Sequence, residues 1–472
     1  MIGFPIIIED NPGMEFHRRL RQACPGLRLT RDPDTCATYG RDWTRFRDPR
    51  PAAVAFPASA QEVSELVAVA AEHGIPLVPS GGRTGLSGGA VAARGEVVVS
   101  LERMRRIGEF DAADRTLTVE AGVVTSAVQE AARSRGLYYP VSFASEGSSQ
   151  IGGNVATNAG GIRVLRYGTT RERVAGLRVV TGRGEVLDLN RGLIKNATGY
   201  DLRHLFIGSE GTLGIVVEAI LRLTDPPPPS RVLLLAVTGM PALMTLFTRL
   251  RDALALNAFE FFTDRALAHV RRAHGLAAPF AQEAPVYVVT EFDCLGDTDE
   301  ERALACFRQA QDAGLVSDGV MSQSERQARE LWRYREGISD AIAEFTPYKN
   351  DLAVTVAQVP AYLAGIEALL RRESPEFEVI WYGHIGDGNL HLNILKPEGM
   401  ETGRFEARCR ELSEPIYALT GQFGGSVSAE HGIGLLKRAA LGHSRSASER
   451  ALMQGIKQTF DPAGIFNPGK LI

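Results

Sequence analysis

The sequence predicts an α+β fold spread over more than one domain. Three observations carry that reading. Helical and strand periodicities alternate along the chain instead of falling in long blocks of one kind. A run of four prolines, Asp225-Pro226-Pro227-Pro228-Pro229-Ser230, interrupts that alternation near the middle. At 472 residues the chain is also longer than one ordinary hydrophobic core organises.

The first clear unit starts near Pro51. Ser59-x-x-Glu62 reads as a capping box, and Val63, Leu66, Val67 and Ala70 recur at helical spacing up to Gly74. A strand, Ile75 to Val78, runs straight into Pro79-Ser80-Gly81-Gly82. Further strands are expected at Val97–Leu101 and Leu117–Val119. Val174–Val180 and Glu185–Leu189 read as a hairpin around Thr181-Gly182-Arg183-Gly184. The proline run continues neither sheet nor helix and forms a stiff connector. Beyond it, longer helical stretches (Glu300–Ala313 and Gln323–Phe345) alternate with short strands such as Val286–Glu291. The C-terminal part is a glycine-rich loop, a helix and a stop at Asn467-Pro468-Gly469. The expected division is an N-terminal segment (1–50), a first domain (51–225), a second domain (226–425) and a C-terminal segment (426–472).

Composition bounds the function. Hydrophobic content of 44% and charge of 23% are globular values. A net charge of −4 gives no basic field, which argues against a nucleic-acid partner. Cys24, Cys36, Cys294, Cys306 and Cys409 are scattered, with no CxxC spacing, which fits free thiols rather than a disulfide framework or a cysteine zinc site. The opening MIGFPIIIEDNPG has only a short apolar patch and no positive flank, unlike a secretory signal. No stretch approaches the ~20 apolar residues of a membrane span. A cytoplasmic protein is expected, with peripheral membrane contact left open.

Three glycine-dense segments stand out: Pro79–Ala90 (PSGGRTGLSGGA), Ile151–Gly161 (IGGNVATNAGG) and Ile207–Ile215 (IGSEGTLGI). Glycine lets a backbone approach a ligand closely, at an entropic cost on folding. Paying it three times points to a long, phosphate-bearing cofactor laid against main-chain amides, with successive amides forming an anion nest. Neither a GxGxxG fingerprint opening a helix nor a Walker loop is present.

A second cluster holds imidazoles. Trp381–Leu395 reads WYGHIGDGNLHLNIL, and Asp387-Gly388 is a two-residue hairpin signal. Such a turn pairs 386 with 389, 385 with 390, and 384 with 391. His384 and His391 would then be cross-strand neighbours, ~5 Å apart at Cβ and able to share a divalent metal. Asn393 falls on the face of His391, with Leu390, Leu392 and Ile394 behind. Ser428-Ala429-Glu430-His431-Gly432 adds a carboxylate and a further imidazole. In Leu331–Phe345, Arg335 and Ser339 are four apart and share a helix face, with Lys349 just past the break at Pro347.

The segments PSGGRTGLSGGA, EGSSQIGGNVATNAGGIRVLRYG, NATGYDLRHLFIGSEGTLGI and FDPAGIFNPGKLI resemble the vanillyl-alcohol oxidase/p-cresol methylhydroxylase family of FAD enzymes. The nearest branch is that of the D-2-hydroxy acid dehydrogenases. The resemblance runs in family order from about residue 40. It implies an FAD-binding domain of two α+β subdomains, an α+β substrate domain and a C-terminal segment returning to the flavin. By resemblance, Pro79, Gly81, Gly82, Thr84, Gly85 and Gly88 line the pyrophosphate. Gly147, Ser148, Gly153, Asn154, Thr157, Gly160 and Ile215 contact the isoalloxazine and ribityl chain. Some relatives attach FAD covalently through histidine or cysteine. No histidine falls in 74–203 and no cysteine in 37–293, so dissociable FAD is expected.

The same resemblance makes His384, His391 and Glu430 ligands of a divalent metal, zinc by the family's pattern. It makes His431 the base and Asn393 a contact to the α-carboxylate. REGIS followed by YKND resembles the 2-hydroxyglutarate pattern, in which Arg335, Ser339 and Lys349 grip a distal carboxylate. Serine replaces the more usual threonine there. A metal bound at the α-hydroxyl lowers its pKa, His431 takes the proton, and the Cα hydride passes to flavin N5, giving a 2-oxo acid. D-2-hydroxyglutarate is the expected substrate, with D-malate accepted. D-lactate or glycolate is the alternative. A metallohydrolase would leave the glycine loops unexplained, and a flavin-binding scaffold the imidazole cluster. With no NAD fingerprint, the electron acceptor is expected to be an electron-transfer flavoprotein or a quinone. A homodimer is allowed.

Overall fold

The computed structural model describes residues 12–44 and 48–472. The apolar patch near the start of the chain lies outside these residues. Three sheets organise the described residues. The first contains β1 (Arg28–Thr30), β2 (Ala53–Phe56), β3 (Leu77–Ser80) and β4 (Val97–Ser100), in the order β1-β2-β4-β3. Its β2, β4 and β3 are parallel, and β1 closes an edge antiparallel. The helix Ala60–His73 supplies the crossover between β2 and β3. Ser59 caps it by accepting from Glu62 N, and Gly74 ends it at φ +62°. The return arm of the expected capping box lands one residue early, with Glu62 accepting from Ala58 N.

The second sheet is antiparallel, in the order β5-β6-β9-β7-β8. Its strands are β5 (Ile107–Asp111), β6 (Thr116–Glu120), β7 (Val174–Thr181), β8 (Val186–Leu189) and β9 (Gly214–Arg222). β7 and β8 form the hairpin expected around Gly182.

The third sheet follows the proline run and has seven antiparallel strands, ordered β13-β10-β12-β11-β15-β16-β14. These are β10 (Ser230–Val237), β11 (Leu256–Thr263), β12 (Val286–Asp293), β13 (Val316–Met321), β14 (Tyr348–Ala353), β15 (Glu378–Gly383) and β16 (Asn389–Leu395). Both faces are covered, so β10 reads as an unbroken apolar run rather than an alternating one. Leu233, Leu235 and Val237 join one core, and Val232, Leu234 and Ala236 the other. The long helical stretch expected at Gln323–Phe345 is broken into Glu325–Glu336, Ile338–Ala341 and a 3₁₀ turn, Ala343–Phe345.

The chain then returns to its first sheet. After the helix Ala447–Phe460, Leu77 N donates to Ile465 O at 2.7 Å, and Asn467 N donates to Leu77 O at 2.9 Å. Ile465 and Phe466 are buried in the core around that sheet. Among the described residues, no helix is long and apolar enough to cross a membrane.

Candidate active site

The three glycine segments converge. Gly81 and Gly153 nearly touch: a Cβ on Gly81 would lie 3.7 Å from Gly153 Cα. Pro79 packs beside Gly211, at 3.2 Å from a Cβ built there. Glu210 N donates to Ala156 O at 2.7 Å, and Gly208 N to Val155 O at 3.0 Å. These contacts join the first, second and third segments at one place. Gly82 lies so close to the Ser148 carbonyl that an added Cβ would collide with it. Gly82→Ala is therefore expected to lower stability by about 1–3 kcal/mol, as overpacking does. Thermal melts with and without added FAD check this, and an unshifted Tm would show that the two segments can part.

The surface left by these segments suits a flavin nucleotide. A Cβ at Gly147 or Gly153 would meet nothing within 4 Å. Beside the first two segments, Ser80 Oγ and Gln150 Oε1 are buried polar atoms without a hydrogen-bond partner among the described residues. Gly88 takes φ +80° and donates its N–H to the buried carboxylate of Asp42 at 2.8 Å. Thr84 and Gly85 lie between, the first half-buried and the second exposed. Gly160 packs on Val164. Asn154 is buried, and its Nδ2 is engaged by Thr125 Oγ1 at 2.6 Å. Thr157 donates to Gly153 O at 2.9 Å. Ile215 differs from the rest: its side chain is packed into the core around the first sheet, so its backbone is what could meet a ligand.

The second half of the site is one face of the third sheet. In register, Lys349 of β14 lies opposite Asn393 of β16, and Asp351 opposite His391. Tyr382 of β15 faces His391 from the other side. Leu390, Leu392 and Ile394 point into the core behind, as expected. The hairpin itself is corrected. Its register pairs 382 with 391, not 384 with 391, and residues 384–388 form a longer loop. Gly386 packs tightly on Phe259, and Gly388 is wedged against the Val354 carbonyl, so the loop folds inward on its neighbours. His384 still reaches His391, ring centroids 5.2 Å apart and nearly perpendicular, but from the loop rather than across the ladder.

His384, His391 and Glu430 each present a ligand atom, and these atoms lie within 4.8 Å of one another. His384 Nδ1 donates to Glu260 Oε1 at 2.8 Å, which leaves Nε2 directed toward Glu430 at 3.4 Å. Burial opposes charge on His384, yet Glu260 and Glu430 outweigh it and raise its pKa to about 9. Burial pushes Glu430 up to about 7 and Asp387 up to about 6, with neighbouring carboxylates adding to the effect. Burial and the adjacent His384 hold His391 well below the usual histidine value. An acid-rich cluster with two imidazoles in a partly open setting is the donor chemistry of a divalent cation site.

Asp351, which sequence reasoning passed over, organises the far side. It is fully buried and accepts from Glu430 N at 2.8 Å, His431 N at 3.0 Å and Asn389 Nδ2 at 2.8 Å. Burial works against its charge, but Lys437 and the N–H groups of Glu430 and His431 help to outweigh it and keep it ionised. His431 stacks parallel to His391, with ring centroids 6.1 Å apart, and burial lowers its pKa, which favours a neutral imidazole. Lys349 Nζ donates to Ser339 Oγ at 3.0 Å. Desolvation by the surrounding protein lowers the Lys349 pKa, although the residue as a whole is exposed. Arg335 is buried, paired with Glu260 Oε2 at 2.8 Å and laid over the Tyr382 ring at 4.7 Å. Asn393 Oδ1 is buried without a hydrogen-bond partner among the described residues.

The two halves meet through the loop after His431. Glu210, from the third glycine segment, accepts from Ile433 N and Gly434 N, both at 2.7 Å. Leu435 N and Leu436 N donate to Ser87 O of the first segment. The imidazole cluster is thereby fixed beside the glycine surface.

Residues 226–471 match the family of FAD linked oxidases, C-terminal domain, and residues 51–190 match an FAD binding domain. The chain belongs to the FAD-linked oxidase family. It is an oxidoreductase of that family, with an FAD-binding half and an FAD-oxidase C-terminal half. Curated relatives include a D-2-hydroxyglutarate dehydrogenase of Xanthomonas citri pv. viticola, 58% identical over 96% of this chain and 96% of that one. Another, from Stutzerimonas stutzeri, is 52% identical over 95% of this chain and 96% of its own. Among solved structures, the 4-ethylphenol oxidase of Gulosibacter chungangensis superposes with a TM-score of 0.76 at 17% identity, covering 99% of this chain and 98% of that one. This last likeness speaks to the fold, which is the p-cresol methylhydroxylase type expected of this FAD-linked oxidase.

Proposed function

We propose that the protein oxidises D-2-hydroxyglutarate to its 2-oxo acid, with D-malate as a poorer substrate. The observation that carries this reading is Lys349: a solvent-exposed cation at the edge of the imidazole cluster, bonded to the Ser339 hydroxyl and with no carboxylate ion-pair partner among the described residues. It stands across the ladder from Asn393 and close to His431. A ligand with two carboxylates satisfies this arrangement. Asn393 meets the α-carboxylate, and Lys349 and Ser339 meet the distal one, with Arg335 beside them. A buried carboxylate needs such partners, and lactate has no distal charge to offer. The curated relatives named above support the same substrate.

When bound, dissociable FAD supplies the acceptor for the Cα hydride, and a divalent cation, zinc by the donor set, supplies the positive charge that acidifies the hydroxyl. Pro79, Gly81, Gly82, Thr84, Gly85 and Gly88 would hold the flavin nucleotide's phosphates. His384, His391 and Glu430 would hold the cation. His431, kept neutral by its buried setting and oriented by Asp351, takes the hydroxyl proton. The reduced enzyme passes electrons to an electron-transfer flavoprotein or a quinone.

The test is anaerobic bleaching of the flavin by a panel of D- and L-hydroxy acids. D-2-hydroxyglutarate is expected to bleach fastest. Lys349→Met should lower kcat/KM for it by ~10- to 100-fold, the range for a lost hydrogen bond to a charged group, while sparing D-lactate. Equal losses on both substrates would overturn the dicarboxylate assignment.

A further inference from the structure

One acidic side chain on the polar face of the third sheet takes no direct part in the proposed chemistry. Glu260 lies on β11 between Phe259 and Phe261, and its side chain is 1% exposed. A carboxylate in such a place needs a counter-charge, because an unpaired buried charge costs several kcal/mol. Glu260 Oε1 accepts from His384 Nδ1 at 2.8 Å, and Oε2 pairs with Arg335 Nη2 at 2.8 Å. The two partners come from different elements: His384 from the loop after β15, and Arg335 from the last turn of the helix Glu325–Glu336. β11 itself pairs with β15 through Phe261–Gly383 and Phe262–Tyr382, which brings Glu260 alongside His384.

We propose that Glu260 is a positioning residue that fixes the His384 tautomer for cation binding and sets the distance from that imidazole to Arg335. The proposal rests on the metal-assisted reading above. A proton held on Nδ1 by Glu260 makes Nε2 the nitrogen that would give up its proton to a cation, and Nε2 is the atom that faces Glu430. Carboxylates placed behind a ligating histidine orient the ring and raise its basicity. On its other oxygen, Glu260 pairs with the Arg335 guanidinium, which lies over the Tyr382 ring at 4.7 Å and is thereby held in one place. One carboxylate thus sets the geometry of both the cation and the distal-carboxylate subsite.

The test is zinc affinity of the full-length, flavin-loaded protein, read by competition with a chromogenic chelator. Glu260→Gln keeps the shape but leaves one acceptor oxygen for two donors. It should weaken zinc binding by ~10- to 100-fold, the usual cost of losing such a partner, with flavin content unchanged and a lower Tm, because Arg335 loses its buried counter-charge. It should also raise KM for D-2-hydroxyglutarate more than for D-lactate. Arg335→Met should raise that KM yet leave zinc affinity near wild type. Should Glu260→Gln fail to fold, ¹⁵N-histidine spectra of the zinc-loaded wild type decide: His384 should carry its proton on Nδ1. Unchanged zinc affinity in Glu260→Gln, or an Nε2–H tautomer of His384, would overturn the role of Glu260 alone. A wild type that takes up no zinc would overturn the metal reading and this inference with it.

Discussion

Replacing His431 with alanine is expected to cut kcat by roughly 10²- to 10⁴-fold, the usual contribution of a placed general base. KM should move little, because Asn393, Ser339 and Lys349 stay where they are. Flavin content should hold, since the segments lining the flavin surface do not include His431. Zinc content should also hold, because the proposed ligands His384, His391 and Glu430 all remain. Stopped-flow reduction under nitrogen, paired with metal analysis, checks all of these. A reduction rate within about threefold of wild type would place the base elsewhere, since even weak general-base catalysis exceeds that factor.

A second large effect is expected at the cation. His391→Ala removes one of two imidazoles while leaving β16 anchored by Leu390, Leu392 and Ile394. Zinc uptake should fall below detection, and anaerobic flavin reduction by D-2-hydroxyglutarate should slow by on the order of 10³-fold, equivalent to the several kcal/mol a Lewis acid contributes. Chelator treatment of the wild type should reproduce the loss, and added zinc should reverse it in the wild type but not in the variant. Full activity after exhaustive chelation would remove the metal from the reaction.

The parts of this architecture that were legible in the sequence have local signatures. Ser59 and Gly74 bracket a helix because a hydroxyl caps one end and a left-handed residue closes the other. The glycine segments announced a close backbone approach, and Gly82 against Ser148 realises it. The hairpin register was misread because Asp387-Gly388 is only the end of a longer loop. Its length is set by Phe259 and Val354, which are distant in the sequence. The acids that hold the site together were harder to see. Asp351, Glu210 and Glu260 have no spacing motif, since each finds its partners across the fold. Glu260 left one trace, an acid in the aromatic run Phe259-Glu260-Phe261-Phe262. A charge in such a run is either an edge residue or a paired one, and here it is paired.

The Glu210 carboxylate is satisfied by amides that lie 223 and 224 residues further along the chain. That separation bears on protein engineering. A fragment stopping at the proline run would carry a buried acid with no donors, and chimeras that exchange only the flavin-binding half between relatives would have to rebuild the match. The natural unit of transplantation is therefore the acid together with the Ile433–Gly434 turn that receives it.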